Sequence, residues 1–200
     1  MKLNFLFGRV KLIPALAIGA LGVVLAGCVV ASVYPFYTEK DLVFEPKLVG
    51  TWKTVPKENE EKETWRFEKL GDKSYKLLVG EGDKIEPYQA CLFKLKDTLF
   101  LDMISLKDER EMIPSHFFLR LGAIDSTFSY SLLSAEWMAK LVKENPKAIR
   151  HHVVQDDPND ADKNHVVLTA DTAELQKFIL QHLKTEGAYT EAQVMKREAK

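Results

Sequence analysis

From Leu48 onward, apolar and polar residues alternate with a period of two, the spacing that puts every second side chain on one face of a strand. In "ETWRFEK" Trp65 and Phe67 share a face, with Thr64, Arg66 and Glu68 on the other. "SYKLLVG" repeats this with Tyr75, Leu77 and Val79, and "TLFLDMI" sets Leu99, Leu101 and Met103 against Phe100, Asp102 and Ile104. "HFFLRL" and "FSYSLL" continue it through Phe117, Leu119, Leu121, Phe128, Tyr130 and Leu132. Turn residues separate the runs: Gly71-Asp72, Gly80-Glu81-Gly82-Asp83, Lys96-Asp97, Gly122 and Asp125-Ser126. Short strands so closely spaced predict an antiparallel meander, closed or nearly closed so that no edge is left bare.

Two stretches switch to a helical period. "SAEWMAKLVKENP" has Ser134 as N-cap, an apolar stripe at Trp137, Met138, Leu141 and Val142, and Pro146 as its stop. "DTAELQKFILQHLKTEG" opens with Asp171 and Glu174 in capping-box spacing and carries Leu175, Phe178, Ile179 and Leu183 on one face. Gly187 sits where a C-cap glycine would end it. Both stripes suit helices lying against a sheet or barrel. The fold expected is therefore mainly β with two helices packed outside.

The first 40 residues follow another logic. Met1 to Lys11 carries three bases (Lys2, Arg9, Lys11) and no acid, and Leu12 to Gly27 is 16 uncharged residues. A basic head, a short apolar run and a small-residue exit form the layout of a secretory signal. Leu25-Ala26-Gly27-Cys28 resembles the lipobox of bacterial lipoproteins. That resemblance implies cleavage before Cys28, a diacylglyceryl group on its thiol and acylation of its new amino group. Residues 1–27 would then be a cleaved signal peptide, 28–47 a lipid-anchored tether and 48–200 the folded domain. Two or three acyl chains on one cysteine hold a protein stably, where a single chain holds only marginally. The competing reading is a membrane span, since the uncharged run from Leu12 to Thr38 exceeds the ~20 residues a span needs. Pro14, the scattered glycines and the domain-like Tyr34-Pro35-Phe36-Tyr37 argue against it. Val29 is not the Asp that holds many enteric lipoproteins at the inner membrane. In a two-membrane bacterium the expected location is the outer membrane.

Of 28 Lys and Arg against 29 Asp and Glu, the leader removes three bases and no acids, leaving 25 against 29. That balance gives no electrostatic case for nucleic-acid binding. Cys91 is the one cysteine besides Cys28, so no internal disulfide is expected, and its strand-face spacing with Phe93 and Leu95 reads as a buried thiol. Within the tether, Tyr34, Phe36, Tyr37, Leu42, Val43 and Phe44 look made to pack, and its later half is expected along the domain.

Gly50-Thr51-Trp52 opens the first strand of the meander. G-x-W in that place resembles lipocalins, in which the Trp plugs the closed end of an eight-stranded barrel. The far end is similar too: strand "HVVLTA", a short turn, a helix from Thr172, then "EGAYTEAQVMK". "YPFYTEKDLVFEPKLVGTW" also resembles uncharacterised bacterial lipoproteins with such domains. The implied fold is a lipocalin-like barrel or half-barrel of about eight strands, with Gly50 and Trp52 as the barrel-closing motif. Lipocalins usually stack an Arg from the end of the last strand on that Trp; here the neighbourhood reads Thr169-Ala170-Asp171.

Catalytic signatures are missing from the sequence: no G-x-S-x-G, no glycine-rich phosphate loop, no H-E-x-x-H. His151 and His152 fall on opposite faces of a strand, a poor metal pair. Asp160, Asp162 and Asn164 have calcium-loop spacing with Asp171 at position 12, but His165 replaces the required glycine. That segment reads as an acidic hairpin loop, and "KENEEKE" (57–63) as a charged one. No catalytic residue, metal or cofactor is expected. Function would lie in the barrel, whose candidate cavity lining is Trp65, Phe67, Tyr75 and Leu77. The leading expectation is a non-enzymatic, lipid-anchored envelope protein binding an apolar small molecule in that cavity. The alternative is a structural or assembly lipoprotein with a filled core, docking on another envelope protein.

Overall fold

The computed structural model describes residues 29–55, 62–82, 84–107, 115–155 and 165–199. The strands, in chain order, are β1 (Ala31–Ser32), β2 (Gly50–Thr54), β3 (Thr64–Lys69), β4 (Tyr75–Val79), β5 (Glu86–Leu95) and β6 (Thr98–Ser105). They continue as β7 (His116–Leu121), β8 (Thr127–Leu132), β9 (His151–Val154), β10 (His165–Leu168) and β11 (Gln193–Arg197). Helix α1 spans Ala135–Glu144 and α2 spans Thr172–Gln181.

Eight strands close a barrel. β2 to β8 pair in sequence, each antiparallel to the next, and β11 completes the ring between β8 and β2. The architecture is the expected lipocalin-like antiparallel barrel, closed, with both helices outside. One end, the base, is where β2 begins and β11 finishes; the opposite end, the mouth, is where β2, β4, β6 and β8 finish. The hairpins follow from local chemistry. At the β5–β6 turn Lys96 takes φ 52°, one of the left-handed positions a two-residue turn demands.

The strand that closes the ring differs from the one expected. "HVVL" is β10, which lies outside the barrel beside β9 and runs parallel to β1, while "QVMKR" provides the eighth strand. Both segments read as strand locally. Closure is decided by pairing between β2 and β11, whose register sets Trp52 against Arg197.

Two apolar cores result. The first fills the barrel with the inward residues of every strand, among them Trp52, Trp65, Phe67, Leu77, Tyr88, Leu119, Phe128 and Met195. The second lies on the outer face of β5, β6 and β7, where Phe93, Phe100 and Phe118 meet β1, β10 and the buried stripes of both helices. Those three barrel strands are consequently buried on both faces. Ser134 caps α1 by accepting from the Trp137 N–H (3.2 Å), and Asp171 caps α2 by accepting from the Glu174 N–H (3.0 Å). α2 stops at Gln181, short of the predicted end near Gly187. The chain reverses there so that Tyr189 bridges to Leu133 and leads into β11.

The segment expected as a tether is part of the fold from its first described residue. Val29 bridges to Ser134, Ala31–Ser32 forms β1, and Val30, Ser32 and Phe36 are buried. The chain then crosses the outside of the barrel like a strap. Val43 N–H donates to Leu92 O (2.9 Å) and Glu45 N–H to the Tyr75 hydroxyl (2.7 Å). Helix α2 secures it from above, with the Thr172 hydroxyl donating to Pro35 O (2.8 Å) and the Gln176 amide to Phe36 O (3.1 Å). The aromatic residues of the strap are what leave it no freedom, since they bury best against the outward aromatics of the barrel.

Candidate functional site

The barrel is the place to look for function, beginning at its base. Trp52 is fully buried there, its indole N–H donating to Leu48 O (2.8 Å). Above it lies the Arg197 guanidinium, 4.3 Å from the ring centre, donating to Val49 O (3.0 Å). Gly50 permits this stack. Its φ of 135° belongs to glycine, and a Cβ there would stand 2.6 Å from Arg197 Nη1. The arginine absent from the end of "HVVLTA" is thus supplied by β11, the strand that truly closes the ring.

Further in, the four residues named as candidate cavity lining come together on adjacent strands, but as packing. Trp65, Phe67, Tyr75 and Leu77 are each at most 1% exposed. Trp65 stacks on Tyr130 (4.9 Å between centres), Phe128 meets Trp52 edge-on (4.8 Å), and Phe67 meets Tyr75 the same way (6.0 Å). A side chain with no accessible area borders no space that water can enter. Burial pushes the Tyr75 hydroxyl up to about 12, so it stays a neutral donor and acceptor to the strap. Phe117 and Tyr130 are the interior aromatics that keep some exposure, 8% and 7%.

Toward the mouth the inward positions turn polar. Glu63 and Glu86 lie two residues beyond Trp65 and Tyr88 on the same strand faces. Glu63 accepts from the Trp65 indole N–H (2.8 Å), and burial raises its carboxyl above the ordinary range. Glu86 accepts from the Tyr88 hydroxyl (2.8 Å) and from Lys107 (2.7 Å), and the lysine holds its carboxyl below that range. These carboxylates fix the orientation of two interior aromatics, a role that sequence reading missed. The signal was there: a Glu two places before an aromatic at the start of two strands.

A second polar cluster lies outside the barrel, under the strap. Asp102, on the outer face of β6, is nearly inaccessible, and its two oxygens bond the Phe36 N–H (3.0 Å) and His116 Nδ1 (2.7 Å). Burial pushes its carboxyl up despite these partners. Ser32 sits opposite His116 in the β1–β7 register, so serine, histidine and aspartate are neighbours. Ser32 is fully buried, however, and its hydroxyl oxygen takes the Tyr34 N–H (3.3 Å). The arrangement pins the strap, with the serine itself inaccessible and His116 partly exposed. Cys91, beside Asp102 on β5, is buried, which pushes its thiol up and away from reactivity.

Among the described residues, no three His, Cys, Asp or Glu side chains gather as a metal site. His151 and His152 occupy successive positions of β9, and His151 Nδ1 is engaged with Ile149 O (2.9 Å). Two open surface grooves, of about 430 Å³ beside Ile149, Arg150 and Glu174 and about 500 Å³ beside Lys47, Asp125 and Arg197, are lined by no interior aromatic. Leu25, Ala26, Gly27 and Cys28, which resemble a lipobox, residues 57–61 of the expected charged loop, and Asp160, Asp162 and Asn164 lie outside the described residues. Among the described residues, no helix is long and apolar enough to cross a membrane. Compared with known protein families, curated proteins and solved structures, the chain matches none.

Proposed function

We propose that this chain is a non-enzymatic, lipid-anchored protein of the bacterial cell envelope, held to the membrane through acyl groups on Cys28. Its barrel acts as a rigid body for structure or assembly, docking on another envelope protein. The observation that carries the choice is the filled interior: Trp52, Trp65, Phe67 and Phe128 occupy ring against ring the space that a ligand would need. Eight-stranded barrels either hold one small ligand or are filled by their own side chains, and this packing supports the second. The leader sequence with its lipobox supports the anchor and the export, with the outer membrane as the location in a two-membrane bacterium.

Binding of an apolar small molecule is the second reading. The residual exposure of Phe117 and Tyr130 favours it, because a ligand entering from the mouth would meet those rings first. One preparation separates the readings. Protein extracted from membranes, with and without Cys28→Ala, is weighed intact, extracted for small molecules and cross-linked in the envelope. A mature mass beginning at Cys28 plus acyl chains, lost in the variant, supports the anchor. A reproducible cross-linked partner with no co-extracted molecule supports the assembly role, and a stoichiometric apolar extract supports the ligand role. An unmodified full-length mass would overturn the anchor.

A further inference from the structure

We infer that the Asp102 carboxyl is a proton-controlled latch on the strap: protonated, it holds the strap against β6 and β7 at Phe36, and ionised, it lets that segment lift while the barrel stays closed. The device belongs to the fold and does not depend on the lipid anchor. Two features of the geometry carry it. The first is where the strap is tied. Val33 N–H donates to Leu168 O (3.0 Å) on β10, and Val43 N–H to Leu92 O (2.9 Å) on β5. Among the described residues, the barrel's hold on the main chain between Val33 and Thr38 is the Asp102 carboxyl itself, which takes the Phe36 N–H (3.0 Å). β1, the strand leading into this stretch, is two residues long. Helix α2 adds Thr172 on Pro35 O and Gln176 on Phe36 O, both uncharged.

The second feature is the place of the charge. Asp102 is in register with Cys91 and Phe118, and Phe36 packs on Phe118 at 4.4 Å, so the carboxyl sits under an aromatic cover. His116 Nδ1 meets its other oxygen at 2.7 Å, and the histidine side chain is 15% exposed, which gives the proton a way to water. One proton shared along that contact leaves the pair neutral. When it leaves through the imidazole, a net negative charge stays in an apolar pocket, and lifting the strap lets water reach it. The titratable groups that face Asp102 besides His116 are Cys91 and Tyr37, both kept neutral by burial, with the Tyr37 hydroxyl bonded to the Cys91 thiol. β1 and β10 bring Ser32 and Leu168 to this level, and Asp41 on the strap is occupied by Thr38 and Gln176. Burial raises the closed-state carboxyl above its open-state value. The latch therefore holds at low pH and is lost as pH rises through the closed-state value.

The test is hydrogen–deuterium exchange of the full chain, followed by mass spectrometry from about pH 4 to about pH 9, on peptides covering residues 33–38 and on peptides of β2 to β4. Rates are expressed as protection relative to the free peptide, which removes the intrinsic pH dependence of exchange. At every pH the strap should be less protected than the barrel strands, because it opens without them. Its protection should be level at the acid end and then fall with rising pH, by up to about tenfold per unit for the one proton released on opening. In Asp102→Asn, which cannot ionise, that fall should vanish. Strap protection equal to the barrel's at every pH would mean that the strap leaves only when the whole fold does, and would overturn the latch. A strap that opens alone with protection flat in pH would overturn it too, as would a fall that Asp102→Asn retains. The parent profile decides the first two outcomes even where the variant does not fold.

Discussion

Arg197 and Trp52 face each other across the β2–β11 seam, guanidinium over indole at 4.3 Å, and this contact closes the barrel. It joins residues near the two ends of the domain, and it forms only if Gly50 has no side chain. Stability should therefore depend on the three residues as a unit.

Arg197→Ala is expected to cost about 1–3 kcal/mol, the loss of a partly desolvated cation–π contact together with a charged hydrogen bond to a backbone carbonyl. Arg197→Lys should recover only part, because a lysine cannot lie flat on the ring. Gly50→Ala should cost a similar ~1–3 kcal/mol through backbone strain and displacement of Arg197. Urea unfolding of the single and double variants checks the coupling. The double variant should be clearly less destabilised than the sum of the two. Strict additivity would show that the stack and the glycine act separately.

Trp65→Ala removes the largest ring shared by the Tyr130 and Phe128 contacts. It should destabilise the barrel by about 3–5 kcal/mol and leave a dry cavity in its place. The variant should then bind a small apolar molecule such as benzene at its interior, as judged by calorimetry, while the parent chain does not. Equal binding by both would mean that the interior already holds accessible space.

Asp102 links stability to pH. Burial raises its carboxyl in the folded state, so the folded protein keeps a proton that the unfolded chain has already released. The stability this contributes is fully present below the unfolded carboxylate range and is lost as pH rises through the higher folded value. Asp102→Asn, which keeps an acceptor for the Phe36 N–H and carries no charge, should flatten that fall. Asp102→Ala should flatten it as well, but lie about 1–3 kcal/mol below Asp102→Asn across the range, because the buried Phe36 N–H loses its acceptor. Denaturant melts across the acidic range decide between these behaviours.

The strap should be indispensable. Phe36 is fully buried against Phe118, with 4.4 Å between ring centres. Phe36→Ala is expected to cost about 3–5 kcal/mol. A chain starting at Leu48 should expose Phe93, Phe100 and Phe118 and bind a hydrophobic dye strongly. A stable, monomeric, dye-silent truncation would show that the second core is not needed for the fold.

Much of the barrel was legible in the alternation itself. Trp65 and Phe67, or Tyr75 and Leu77, declare an inward face because burial of one side requires a period of two. The second core was legible only in outline. Phe93, Phe100 and Phe118 stand at outward positions where a solvated barrel would carry charge, and strands buried on both faces read as near-continuous apolar runs. The packed strap followed partly from Phe36 and Tyr37, whereas Tyr34, expected to pack, is half exposed, and that the strap holds from Val29 onward did not follow. The two glutamates at the mouth escaped attention because a charged residue at a strand end looks like ordinary solvation.

What the sequence determined by itself was local: strand against helix, turn positions, helix caps, and the glycine before Trp52. Each depends on neighbours within a few residues, where periodicity and backbone sterics leave little choice. The tertiary structure alone decided which strand closes the ring, that Arg197 is the partner of Trp52, that the interior is filled, and that the segment from Val29 to Leu48 packs on the barrel. "HVVL" and "QVMKR" are equally good strands, and only one can pair with both β2 and β8 while the other covers the outward aromatics. That choice depends on contacts between residues more than a hundred positions apart, whose energies no local pattern records.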